Sequence, residues 1–182
     1  VYAGLVYGEE QHTILEYTRK AFVIGGFSKI YAMTGWRLGY VIAPPEYIRP
    51  MQKLQQNLFI CAASFAQEAA VTALTCCDRH VASMVEVYDC RRRYLLNRLK
   101  KAGIAPPVDP KGAFYVLADV RKYTADSLAF AFEILEKVKV AVTPGIDFGQ
   151  NGEGYLRLSY ANSLEKIEEG MNRLENYLYS LR

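Results

Sequence analysis

The sequence has no uninterrupted apolar run of the ~18 residues that a helical membrane span needs. Its first residues also lack the basic, apolar and small-residue order of a secretory signal. Together these absences predict a soluble, untargeted chain with no membrane partner, and cysteines without metal or disulfide spacing make the reducing cytoplasm the simplest compartment. Charge of one sign is equally scarce: 22 Lys and Arg face 19 Asp and Glu, and the longest block is Arg91-Arg92-Arg93. A net charge of +3 is a weak electrostatic footprint, and no nucleic-acid partner is expected. The four cysteines, Cys61, Cys76, Cys77 and Cys90, show no metal-type spacing, and the vicinal pair cannot easily close a relaxed disulfide. His80 beside that pair leaves too few well-spaced ligands, so no metal is expected. There is no internal repeat and no low-complexity segment. An initiator methionine is missing too, and a start on Val1-Tyr2 points to an absent upstream segment.

What is present is a chain of 182 residues, 51% apolar, enough for one domain or for one domain and part of another. Residues 1–19 read as a loop with short extended pieces, since Gly4 and Gly8 break any helical period. Ala21 to Ile24 and Leu38 to Ala43 are continuous apolar runs, the pattern of strands buried on both faces. Helices are expected over 46–57, with Ile48, Met51, Leu54 and Leu58 on one face, and after Ser64, where Gln67 completes a capping-box spacing. A longer helix follows, opened by Asp78 and closed by Lys100, Lys101 and Gly103. Three prolines in 105–110 mark a joint, giving domains 1–104 and 105–182. Beyond it come a strand (114–118), a helix (125–138), strands (140–142 and 155–160) and a helix (163–181) capped by Asn162 with Glu165. Ile167, Met171, Leu174, Leu178 and Leu181 form its apolar stripe. The fold class is α/β, with helices covering a sheet.

Chemistry concentrates between the first two strands, in Gly25-Gly26-Phe27-Ser28-Lys29 and the following Gly35-Trp36-Arg37. Lysine becomes a nucleophile when burial or a second cation disfavours its ammonium form. Lys29 has apolar runs on each side and Arg37 across a turn that Gly35 can tighten. Ser28 adds a hydroxyl, and Arg37 a planar fork of the kind that grips phosphate. Spacing alone still favours the plainer reading, an exposed loop lysine and a surface arginine. Later, Leu156, Leu158 and Tyr160 share one strand face while Arg157 points to the other, where it can bind a carboxylate or pair with a nearby acid.

Phe27-Ser28-Lys29, Ala32-Met33-Thr34-Gly35-Trp36-Arg37-Leu38-Gly39-Tyr40 and Tyr155-Leu156-Arg157-Leu158-Ser159-Tyr160-Ala161 resemble the signature segments of class I/II aminotransferases. These are pyridoxal-phosphate enzymes of fold type I. The resemblance runs over essentially the whole chain and implies the end of the large cofactor-binding domain followed by the small C-terminal domain. It implies that Lys29 holds the cofactor as an internal aldimine and moves the proton between Cα and C4′. By the same likeness Arg37 and Ser28 contact the cofactor phosphate, Tyr2 bonds the phenolic oxygen of its ring, and Arg157 binds the substrate α-carboxylate. Gly112-Ala113-Phe114-Tyr115 and Thr143-Pro144-Gly145 resemble segments near the substrate, although both also have ordinary backbone explanations. The implied activity is transfer of an amino group between an L-amino acid and a 2-oxo acid, in a homodimer.

The chain departs from the family pattern in lacking its N-terminal half. That half supplies a glycine-containing phosphate loop, the ring that stacks on the cofactor, an asparagine and the acid that protonates the pyridine nitrogen. Gly26 also stands where some subgroups carry a serine. Two alternatives therefore stay open: carbon–sulfur β-elimination on the same scaffold, and a fragment without activity of its own.

Overall fold

Strands β1 (Val23–Gly26) and β2 (Gly39–Ile42) pair antiparallel, with Val23 opposite Ile42 and Gly26 opposite Gly39. The structure, a computed structural model, describes residues 1–181. The β1–β2 ribbon lies where the apolar runs predicted strands, but those strands are not buried on both faces. Phe22, Ile24, Tyr40, Val41 and Ile42 are exposed, Ile24 at 68%. The reason is topological: among the described residues the sheet has two strands only, so no further strand flanks them.

Helix α1 (Pro45–Leu58) starts with proline at its first position, where the missing N–H costs nothing. Ile48, Leu54 and Leu58 share its apolar face as expected, yet that face is exposed. Helix α2 (Ser64–Cys76) is the small-residue helix, with Ala66, Ala70 and Ala73 buried. Its expected capping box does not form. Ala63 occupies the cap position, Ser64 is already helical, and the Gln67 side chain donates instead to the Ala62 carbonyl at 2.9 Å.

Helix α3 (Asp78–Ala102) begins at Asp78 itself and ends in a left-handed Gly103, φ +74°. Ile104 N–H donates to Leu99 O at 3.0 Å and Gly103 N–H to Lys100 O at 3.1 Å, the paired bonds of a Schellman stop. The chain divides into two compact units, Val1–Val85 and Glu86–Arg182, so the division falls inside α3. The proline-rich joint at 105–110 lies within the second unit. The later turns of α3 bury Leu95, Leu99 and Ala102, and Arg98 makes a two-pronged pair with Glu175, both bonds 2.8 Å. Arg92 is held by Asp89 and donates to the Pro110 carbonyl at 3.1 Å.

In the second unit, β3 (Tyr115–Asp119), β4 (Thr143–Pro144) and β5 (Tyr155–Ser159) form an antiparallel sheet with β5 in the centre. The strand expected at 140–142 is displaced to Thr143–Pro144. Lys139 takes a left-handed cap (φ +56°) and the chain runs on without a strand partner until Thr143 meets Arg157. Val116 and Ala118 face Leu158 and Leu156 in register, and all four are buried. Tyr160 is fully buried, its hydroxyl donating to the Ala113 carbonyl at 3.1 Å.

Helices α4 (Ser127–Val138) and α5 (Leu164–Ser180) bury their apolar stripes. Asp126 caps α4 by accepting from Ala129 N–H at 2.9 Å. Ser163, not Asn162, caps α5, accepting from Lys166 N–H, while Asn162 accepts from Ser163 N–H. The stripe of α5 runs through Ile167, Met171, Leu174 and Leu178 and stops there, since Leu181 is exposed. No helix of the described residues is long and apolar enough to cross a membrane.

Candidate functional site

The ribbon β1–β2 closes with a pair of glycines and opens into the loop 27–38. A Cβ on Gly39 would stand 3.0 Å from the Gly25 carbonyl, so a side chain there would push the strands apart. Phe27 N–H donates to Leu38 O at 3.3 Å and ties the base of the loop. Phe27 and Met33 are then buried against Ala70 and Ala73 of α2, with Tyr31, Leu38 and Ala69 packed around them. Small side chains on the helix let the loop backbone come close. Trp36 meets Phe65 of the same helix, ring centroids 5.8 Å apart.

Ser28 and Lys29 occupy the first turn of this loop, both half-buried. Tyr31 N–H and Met33 N–H both donate to Phe27 O, at 3.2 and 3.4 Å, and Ala32 N–H donates to Lys29 O at 3.3 Å. The turn therefore has its backbone held on both sides of Lys29. The Tyr31 ring stacks on Phe27 at 5.7 Å. Burial first, then the nearby Asp78, Tyr40 and Cys77, push the Tyr31 phenol up, so it stays protonated.

Arg37 ends the loop, exposed and left-handed at φ +53°, and its Nη1 donates to Thr34 O at 2.8 Å. The tight positions of the loop are Ala32 (φ +52°) and Arg37, not Gly35 as the sequence led one to expect. A left-handed non-glycine residue stores strain of order 1 kcal/mol that the surrounding bonds must offset. No carboxylate among the described residues pairs with Arg37.

The N-terminal segment reaches the same turn. Leu5 N–H donates to Tyr2 O at 3.0 Å, and Gly4 (φ +86°) lies so close to Ile30 that any Cβ would clash with Ile30 Cδ1. Tyr2, Ser28, Lys29 and Arg37 thus belong to one loop and the turn packed on it.

Arg157 belongs to the second unit, at the centre of its sheet, opposite Leu117 on one side and Thr143 on the other. It lies on the face away from Leu156 and Leu158, as alternation required. Its Nη2 donates to Thr143 Oγ1 at 3.3 Å. The guanidinium carbon lies over the Phe148 ring, 4.7 Å from its centroid, and over the Tyr115 ring at 5.3 Å. No carboxylate among the described residues pairs with it. Sequence reading missed Phe148, which the 3₁₀ turn Gly145–Phe148 presents. A lone phenylalanine in the polar stretch 147–153 was the available signal. Among the described residues there is no group of three or more His, Cys, Asp or Glu side chains able to hold a metal ion.

Residues 1–174 match the family model for aminotransferase class I and II. The chain is 43% identical over 182 residues to a (5-formylfuran-3-yl)methyl phosphate transaminase of Methanocaldococcus jannaschii, covering 98% of this chain and 48% of that protein. It is 40% identical over 186 residues to an aspartate aminotransferase of Pyrococcus abyssi, covering 98% of this chain and 47% of the relative. Among solved structures, an aromatic aminotransferase of Pyrococcus horikoshii superposes with a TM-score of 0.93 at 40% identity, over 99% of this chain and 49% of that one. The chain spans about half the length of the curated relatives it matches.

Proposed function

Since this chain belongs to the aminotransferase class I and II family, we propose that it carries half of a pyridoxal-phosphate site. In the whole protein that site moves an amino group between an L-amino acid and a 2-oxo acid. The observation that carries the reading is the loop 27–38, where one tightly bonded stretch holds an amine, a hydroxyl and an arginine without a carboxylate partner among the described residues.

That donor set fits the cofactor. An aldehyde takes an amine, and a phosphate dianion takes charge-assisted donors. When bound, the group supplies an electron sink for the negative charge left on the substrate Cα. Lys29 Nζ would be the group that holds the aldehyde, and the same amine is placed to carry the proton taken from Cα. Arg37 holds the phosphate by charge, and Ser28 adds a hydroxyl donor to it. Tyr2 donates its phenol to the phenolic oxygen of the ring. Arg157 binds the α-carboxylate and fixes which way the amino acid faces.

In the same reading residues 1–104 end the large domain and 105–182 form the small one, the protein is a homodimer, and it works in the cytoplasm. The exposed ribbon and α1 are surfaces for the rest of the large domain. A groove of about 920 Å³ between Ile24, Tyr40 and Val41 on the ribbon and Ile48 and Met51 on α1 supports that assignment.

The test is product analysis with the full-length protein. An L-amino acid and a 2-oxo acid should exchange amino groups without net ammonia. Ammonia and pyruvate from cystathionine, with no dependence on an oxo-acid acceptor, would instead assign β-elimination.

A further inference from the structure

An arginine that must capture a carboxylate faces two opposed demands. It has to be held in one orientation, yet the usual partner that orients arginine, a carboxylate, would cancel its charge. The contacts that hold Arg157 are neutral: Thr143 Oγ1 accepts one bond, and the guanidinium lies over two rings. The rings come from separate elements, Tyr115 from β3 and Phe148 from the 3₁₀ turn after β4. Phe148 is the closer, at 4.7 Å, and the residue is 51% exposed, so packing alone does not account for its place. A ring on the π face of a guanidinium leaves the in-plane N–H groups to the ligand.

We propose that Phe148 is a positioning residue for substrate binding, holding the plane of Arg157 by cation–π contact so that the guanidinium edge is presented to the α-carboxylate with its charge intact. The inference rests on the assignment of Arg157 to that carboxylate. Tyr115 supports the same plane from β3, and Thr143 fixes the remaining rotation through Nη2.

The experiment uses the full-length holoenzyme and whichever common L-amino acid the wild type turns over fastest. Phe148→Ala should raise KM for that donor on the order of 3- to 30-fold, the range of a partly desolvated cation–π contact, with kcat changed less than about twofold. Phe148→Tyr should restore KM, whereas Phe148→Leu, which keeps bulk without a π face, should behave like Ala. In an Arg157→Lys background, Phe148→Ala should add nothing further. Independently of turnover, the Arg157 Nε–H resonance should lose its ring-current shift in Phe148→Ala and keep it in Phe148→Tyr. An unchanged KM in Phe148→Ala, or a Leu variant equal to wild type, overturns the proposal. An unchanged KM in Arg157→Lys overturns the carboxylate assignment itself, so the two failures are distinguishable.

Discussion

The two units solve the burial problem differently. The second closes its own core: β3 and β5 turn Val116, Ala118, Leu156 and Leu158 to one side, and α4 and α5 contribute Phe130, Ile134, Leu174 and Leu178, all buried. The first buries Phe27 and Met33 on the alanines of α2, together with Leu5 and Tyr7 of the N-terminal segment, and leaves Ile24, Val41, Leu54 and Leu58 exposed. Buried contacts thus gather where Lys29 sits, while the strands on either side keep exposed apolar side chains. Local order at this loop does not require a closed domain. It requires backbone bonds on both sides of Lys29 and a flat face to rest on.

In the first unit, chemistry and support separate onto different side chains. Lys29→Ala should lower transamination in the full-length protein by more than ~10³-fold, because both the amine and the proton carrier go. Its unfolding free energy should change by no more than about 1 kcal/mol, since the anchors are Phe27 and Met33. A loss of folding equal to the loss of activity would make Lys29 a structural residue.

A second pair contrasts the units directly. Ile134→Ala, at a fully buried site in α4, should cost about 3–4 kcal/mol in urea unfolding. Ile24→Thr in this 182-residue chain should cost less than ~0.5 kcal/mol, because that side chain is already exposed. Similar costs would mean that the ribbon is covered in solution.

Next in size is the Arg98–Glu175 pair, whose side chains are 14% and 16% exposed and which joins α3 to α5. Arg98 also donates to Tyr94 Oη and to Asn172 Oδ1, both at 2.7 Å, and the Glu175 bond leads the causes that raise its pKa. Arg98→Met should cost about 3 kcal/mol, chiefly by stranding Glu175, and Glu175→Gln in the same background should recover part of it.

The smallest expected effect is on pH dependence. Glu153 accepts from Ser127 N–H at 2.7 Å and Gly154 N–H at 2.8 Å, and these backbone bonds, Gly154's first, hold its carboxyl below the ordinary 4.5. A depressed folded-state pKa stabilises fully above about pH 4.5 and loses that contribution as pH falls through the lowered value. The stability gap between wild type and Glu153→Gln should therefore be present near pH 7 and shrink on acidification. A gap that does not shrink would remove the charge from the explanation.

Much of this was legible in the chain itself. Glycine pairs and apolar runs located β1, β2 and the loop between them, and alternation placed Leu156 and Leu158 inward with Arg157 outward. The errors share one cause: sequence pattern reports what a segment can bury, not what covers it. The runs 21–24 and 38–43 read as doubly buried strands, yet among the described residues they pair only with each other. Helix starts slipped for a smaller reason, since Ser64 and Asn162 have capping chemistry but the backbone bends one residue away. The aromatic contacts of Arg157 were invisible because Phe148 and Tyr115 stand 33 residues apart and meet only through the register of β3, β5 and β4.

The most direct test of the central claim is to incubate the full-length protein with pyridoxal phosphate, reduce with borohydride and map the modified peptide by mass spectrometry. A single pyridoxyl group is expected on Lys29, abolished by Lys29→Ala and weakened at low cofactor concentration by Arg37→Ala. A pyridoxyl group on another lysine with Lys29 unmodified would contradict it.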